Sequence, residues 1–392
     1  MARALEASGA LRNPEVRKAF LAEPRERYVP EIAERDGLEA VYRPDVALVT
    51  ARDRTGGALS SSSAPAVMAP MLEALELRPS MRVLEVGAGT GYNAALIKRL
   101  VGEKGGVVSV EVDPGIARQA RRHLAEGGHK ARVVVGDGRD GWPAGAPFDR
   151  IIATASSDFV PLAWRDQLAE GGLVVLPFRF GGDPGTQAIL GLRRDGDVLS
   201  STTVFLGFFM PLRAPGVTAS PVAAQPLLTA STTSGARAST LARLSGRPIE
   251  LLSEAGRRRL LAGALLPGRR LGTVAASGTP GLLMFLLLHP GSEVVRCTLG
   301  GRFGAGVIGP LGRSFAALTW SVGKPGRIET WGDAGAQDKL GVLVEEWRRA
   351  GRPALGALDV TVNYNSAKRR AGDAWRRWDT PEGTVSLYWR RR

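Results

Sequence analysis

Arg82-Val83-Leu84-Glu85-Val86-Gly87-Ala88-Gly89-Thr90-Gly91-Tyr92-Asn93 is the stretch on which the fold turns. A short apolar run carrying one acid leads straight into Gly-x-Gly-x-Gly. That pattern reads as a buried parallel strand, a tight turn and the start of a helix. The glycines let the backbone take positive φ values and let a ligand approach it closely. The spacing is not Gly-x-Gly-x-x-Gly, and no Gly-Lys-Ser/Thr follows, which argues against a phosphate-cradling P-loop. Glu-x-Gly-x-Gly fits S-adenosylmethionine (AdoMet), which carries no phosphate. Glu85, Gly87, Ala88, Gly89, Gly91, Tyr92 and Asn93 are therefore candidate cofactor-binding residues.

Working outward, Val107-Val108-Ser109-Val110-Glu111 is a second β-branched run ending in an acid, about 20 residues after the glycines, where a carboxylate can hold two ribose hydroxyls. Glu111 and the adjoining Val112 join the site on that ground. Val133-Val134-Val135-Gly136-Asp137-Gly138 is a third run. Asp137 can accept from an adenine amino group, and the backbone at Gly138 can meet a ring nitrogen. Phe148 to Ala153 and Gly172 to Pro177 read as strands four and five. Residues 82–213 thus alternate strand and helix, as in a Rossmann-like, doubly wound α/β sheet.

Upstream, residues 1–40 read as helical with a turn at Pro24. Residues 56–65, Gly-Gly-Ala-Leu-Ser-Ser-Ser-Ser-Ala-Pro, read as a small-residue loop before a helix with Val67, Met71, Leu72 and Leu75 on one face. Residues 214–236 read as a linker. Downstream of it, helical spacing at Leu340, Leu343, Val344 and Trp347 and alternation at Leu358, Val360, Val362 and Tyr364 give an α+β domain over 237–392. Trp375-Arg376-Arg377-Trp378-Asp379 is either an aromatic–arginine platform or a core edge.

The chain has 392 residues, 52 Lys+Arg and 38 Asp+Glu, a net +14. Residues 221–392 hold 25 of those bases against 12 acids, and the remainder 27 against 26. The basicity therefore belongs to the C-terminal part and suits an anionic partner, an acidic peptide or nucleic acid. One cysteine, Cys297, excludes an internal disulfide framework and reads as a core residue. His123, His129 and His289 are scattered, so no metal site is expected. The run Leu282 to Leu288 is far too short to span a membrane. With no secretory signal visible, a cytoplasmic enzyme is expected.

Residues 11–213 resemble the protein L-isoaspartyl O-methyltransferases. The likeness is carried by Val16 to Phe20, Pro24-Arg25-Glu26-Arg27-Tyr28-Val29-Pro30, Ser61-Ser62-Ser63-Ala64-Pro65, Val83 to Tyr92, Ser109 to Glu111, Gly136 to Gly138 with Gly141-Trp142-Pro143, and Phe148 to Ile152. The resemblance implies a catalytic domain over 1–213, AdoMet as cofactor and a peptide substrate. It also implies that Ser63, with Ser61 or Ser62, orients the methyl-accepting carboxylate. Two positions depart from the family pattern: Ala66 stands where a histidine is frequent, and Ser62 where an apolar residue is usual. Family members that repair proteins usually stop soon after a segment like Phe209 to Leu212. The long basic tail resembles homologues that modify ribosomally made peptides (lasso peptides, lanthipeptides, graspetides). Those enzymes esterify an L-aspartate, which then closes to an aspartimide, and this is the main functional expectation. Isoaspartyl repair is the alternative. A nucleic-acid methyltransferase is the alternative of another class, opposed by the lack of an Asn/Asp-Pro-Pro-aromatic segment after strand four.

Overall fold

The computed structural model describes the chain except for residues 55, 183–184, 218–226, 233–239, 291–293, 322, 366–373 and 391–392. Most of the stretch expected to be a linker lies outside the described residues. The chain divides into two units. The first comprises Met1–Ser220, Val360–Gly372 and Arg377–Ser386; the second comprises Pro221–Asp359, Asp373–Arg376 and Leu387–Arg392.

In the first unit the strands are β1 (Leu48–Arg52), β2 (Ala58–Ser62), β3 (Arg82–Val86), β4 (Gly106–Glu111), β5 (Arg132–Val135), β6 (Phe148–Ala153), β7 (Leu168–Arg179), β8 (Gln187–Asp195) and β9 (Val198–Phe205). Strands β5-β4-β3-β6-β7 lie side by side and parallel. The expected doubly wound sheet is present. The helix Tyr92–Val101 follows β3 and the helix Pro114–Glu126 follows β4. The strand order reverses at β3, which has β4 on one side and β6 on the other. In an open α/β sheet a ligand crevice forms at the carboxyl end of the strand where the order reverses, here at Val86-Gly87.

The alternation of strand and helix stops earlier than the sequence pattern implied. From β7 onward the chain turns back on itself, and β7-β8-β9 are antiparallel. The reason is local: seven residues separate β7 from β8 and two separate β8 from β9, too few to hold a crossover helix. The serine segment also differs from the expected loop. Ala58–Ser62 is a strand paired antiparallel to β1, closed by a turn in which Gly57 N–H donates to Asp53 Oδ1 at 2.8 Å.

The second unit holds β10 (Leu227–Thr232), β11 (Thr240–Ser245), β12 (Arg269–Val274), β13 (Val294–Leu299), β14 (Arg302–Ile308), β15 (Ser314–Trp320) and β16 (Gly326–Gly332). They form an antiparallel sheet in the order β10-β11-β13-β14-β15-β16-β12. Leu244, Val295, Cys297, Phe315 and Trp331 are core residues there. Cys297 is buried as expected, and burial raises its thiol well above the usual range.

The last strands are β17 (Leu358–Asn363), β18 (Arg376–Asp379) and β19 (Thr384–Trp389). β17 pairs antiparallel with β9, Thr361 opposite Ser200. The chain thus returns to the catalytic sheet after residue 237, and the main part of the second unit, Pro221–Asp359, lies in sequence between β9 and the end of β17. Trp375 stacks on Phe285 (ring centroids 5.4 Å apart), and Trp378 meets Phe178 and Phe180 at 6.5 and 6.1 Å. Both rings serve as core edges.

Candidate active site

The glycine turn has the backbone its sequence demands. Gly87, Gly89 and Gly91 have φ of 96°, 51° and 87°, values an L-residue adopts only with strain. A Cβ on Gly87 would lie 2.5 Å from Thr154 Oγ1. That hydroxyl donates to the Gly87 carbonyl at 2.8 Å. A Cβ on Gly89 would lie 3.6 Å from the Ser61 carbonyl. The turn after β3 therefore faces the serine strand β2 across a narrow gap. The cavity between them is lined by Ser61, Ser62, Ser63, Gly87 to Thr90, Tyr92, Asn93, Thr154 and Phe209, among others.

Glu111, at the carboxyl end of β4, aims at this turn. It is 6 % exposed and accepts from Gly89 N–H at 3.1 Å and Asp113 N–H at 3.2 Å. A carboxylate has about four lone-pair sites, so it keeps capacity for a diol. Glu85 does a different job. It is fully buried, accepts from Asn93 Nδ2 at 2.8 Å and pairs with the Ser109 hydroxyl at 2.5 Å. It ties β3, β4 and the first turn of the following helix together behind the glycines. Burial raises its carboxyl to about 7.

Asp137 caps the short turn after β5, accepting from Arg139 N–H at 2.9 Å and pairing with the Arg139 guanidinium at 2.5 Å. The hydrogen bond from Arg139 holds its carboxyl below the usual range. Gly138 has no room for a side chain: a Cβ there would be 2.4 Å from Val86 Cγ1. Its carbonyl accepts from Trp164 Nε1 at 2.8 Å. Val112 is half-buried beside Glu111.

Three residues escaped the sequence reading. Thr154 locks the glycine turn from β6. Arg25, 0 % exposed, donates to the carbonyls of Ser62 (3.2 Å) and Ser63 (2.9 Å) and so fixes the end of the serine segment. Glu23 is a buried carboxylate that gathers Tyr28 (2.7 Å), Arg99 (2.5 Å) and His129 (2.7 Å). Arg25 lies in the Pro24 to Pro30 segment that carries the family likeness, but that segment does not mark it as a site residue, and Glu23 and Thr154 have no such signal.

The residues fit AdoMet: a turn that admits no Cβ, a carboxylate at the next strand end and a cradle at the sheet's reversal point. Fold and site together define an AdoMet-dependent methyltransferase. Residues 1–214 match the profile of the family described as Protein-L-isoaspartate(D-aspartate) O-methyltransferase (PCMT). The protein-L-isoaspartate O-methyltransferase of Ignicoccus hospitalis is 40% identical over 188 residues, 48% of this chain and 83% of that one. A protein-L-isoaspartate O-methyltransferase of Anaeromyxobacter sp. is 38% identical over 215 residues, 54% of this chain and 93% of its own. A solved protein-L-isoaspartate O-methyltransferase, 26% identical with a TM-score of 0.52, covers 93% of this chain and 96% of its own. The chain belongs to the protein-L-isoaspartate O-methyltransferase family, and is an AdoMet-dependent protein carboxyl O-methyltransferase.

Among the described residues no helix is long and apolar enough to cross a membrane, and no group of three His, Cys, Asp or Glu is placed to hold a metal.

Proposed function

We propose that this enzyme methylates the free α-carboxylate of L-isoaspartyl residues in proteins and peptides. The observation that carries the reading is the close approach of the glycine turn to the serine strand, Gly89 against Ser61. It sets the cofactor's cradle directly against the residues that would orient an acceptor. A carboxylate is already ionised at neutral pH and needs no base. What it needs is alignment and a dry surrounding. Ser63 orients it by hydrogen bonding, and Met68, Met71, Ile152 and Phe209 in the cavity wall exclude water. Bound AdoMet supplies an activated methyl group, and the acceptor becomes a neutral ester. The following backbone nitrogen then attacks the ester carbonyl: an N–C bond forms, the C–OCH3 bond breaks and methanol leaves, giving a succinimide.

The family relatives favour isoaspartate over the expected specialised substrate. The long tail does not argue otherwise, because a solved family member covers nearly all of this chain. A second reading, esterification of an L-aspartate in a constrained ribosomal peptide with closure to aspartimide, is supported by the basic C-terminal part. Its +13 would attract an acidic peptide. The aromatic–arginine segment gives nucleic acid no platform, since Trp375 and Trp378 pack on rings of the protein.

Paired synthetic peptides that differ only in Asp or isoAsp decide between the two. Methyl transfer and methanol loss are followed by mass spectrometry. Faster esterification of the isoaspartyl member is expected, and Ser63→Ala should lower its turnover while leaving AdoMet affinity nearly unchanged. Exclusive reaction of a constrained L-aspartyl peptide would overturn the isoaspartyl reading.

A further inference from the structure

Arg25 is a buried cation without an anion. Its side chain is 0 % exposed, and no carboxylate of the described residues forms an ion pair with it. Burial lowers its guanidinium only to about 10, so it stays charged at neutral pH. Its partners are all neutral: the carbonyls of Val41 (2.9 Å), Ser62 (3.2 Å) and Ser63 (2.9 Å), and the Ser62 hydroxyl (3.3 Å). Its Nε has no partner. A buried charge left uncompensated is costly, and a buried donor left unpaired costs roughly 1–3 kcal/mol. The structure maintains both at one place.

Ser62 shares the anomaly. It is 4 % exposed and lines the cavity. Its oxygen accepts from Arg25, so its proton is free to be donated, and no described residue accepts it. Across the same cavity the Tyr92 hydroxyl, on a side chain 1 % exposed, has no partner either. Both residues line one cavity, and the Arg25 guanidinium is bonded to Ser62. Hydroxyl donors beside a positive charge favour a carboxylate over a neutral acceptor.

We propose that Ser62, alongside Ser63, donates a hydrogen bond directly to the methyl-accepting carboxylate, with Tyr92 as a further donor, and that Arg25 is the positioning residue behind them. Arg25 fixes the Ser62–Ser63 backbone, polarises the Ser62 hydroxyl and supplies the positive field the acceptor's charge lacks elsewhere. The inference rests on the carboxyl-methylating reading and adds the residues that select a charged acceptor. The rival source of a carboxylate is the amino-acid end of the cofactor, and the measurements separate the two.

The test uses the full chain, with an isoaspartyl peptide and the same peptide carrying an α-carboxamide as competitor. AdoMet affinity is measured by calorimetry, methyl transfer from labelled AdoMet by initial rates between pH 5 and 8. Ser62→Ala should lower kcat/KM by about 10- to 100-fold, as loss of a donor to a charged group implies, with AdoMet affinity within about twofold of the parent. Its preference for carboxylate over carboxamide should fall about tenfold or more by the same loss. Arg25→Gln should lower that preference similarly and move the acid limb of kcat to higher pH, because removing a positive charge raises the bound carboxylate's pKa. Arg25→Lys should restore much of both. A merely structural arginine would change neither the preference nor the acid limb. If Arg25→Gln does not fold, Ser62→Ala and Tyr92→Phe carry the test. Undiminished rate and preference in Ser62→Ala would overturn the proposal. So would losses confined to AdoMet affinity, which would give these donors to the cofactor. If the parent enzyme leaves the isoaspartyl peptide unmethylated, the substrate reading fails. The carboxylate-to-carboxamide ratio, measured by calorimetry, still decides the site.

Discussion

Two buried glutamates near the site illustrate how environment assigns work to one residue type. Glu111 accepts from the backbone of the glycine turn at Gly89, whereas both oxygens of Glu85 are held by the side chains of Asn93 and Ser109. Glu111→Ala should weaken AdoMet binding by about 10- to 100-fold, since hydrogen bonds to a charged group are worth about 1.5–3 kcal/mol each. Calorimetry on the folded variant checks this, and unchanged affinity would remove Glu111 from the site. Glu85 carries a pH signature instead. Burial places its folded value at about 7, above the ordinary 4.5. Its contribution to stability is thus present below about pH 4.5 and is lost as pH rises through 7. Glu85→Gln should flatten that decline in melting temperature between pH 4.5 and 7. A parallel decline in both proteins would contradict the assignment.

At the scale of elements, one buried carboxylate, Glu23, gathers groups from the N-terminal segment and from the sheet domain. Burial alone would raise the Glu23 carboxyl, but hydrogen bonds from His129, Tyr28 and Arg99 outweigh it and lower it to about 2. With an ordinary value of 4.5, this stabilisation is present above about pH 4.5 and drains away as pH falls through 2. Glu23→Ala leaves Arg99, His129 and Tyr28 without their partner and should cost about 3–5 kcal/mol. Urea titration at pH 7 reads the loss, which should shrink in acid. The same contacts explain what the sequence hid. The strand-end placement of Gly87, Glu111 and Asp137 was legible because each sits at the end of a local apolar run. Arg25 and Ser62 are 37 positions apart, and Glu23 and His129 are 106 apart. No periodicity reports such pairings. The serine strand was hidden for a related reason: Ser61 and Ser62 have low intrinsic strand preference, and β1 across the turn makes the ladder.

For the whole molecule, the inserted second unit changes how its role is to be tested. A chain cut after β9 would also lose β17, which pairs with β9. Replacing residues 221–356 by a Gly/Ser linker keeps the catalytic strands and should leave AdoMet affinity within a few-fold, because every cavity residue precedes the excision. Turnover on an acidic peptide should fall, and the intact enzyme should lose its advantage on that peptide as salt rises, as exposed charge requires. Equal peptide turnover by both proteins at low salt would leave the insertion without a part in capture. The same topology also governs the order of events at the ribosome. Strand β17 leaves the exit tunnel only after the whole insertion has been translated, a delay on the order of ten seconds at about 5–20 residues per second. Throughout it β9 is an open edge, a template for pairing with any neighbouring chain. A nascent enzyme stalled before β17 emerges is therefore complete in its cofactor cradle yet adhesive, and β17 is the chaperone it is waiting for.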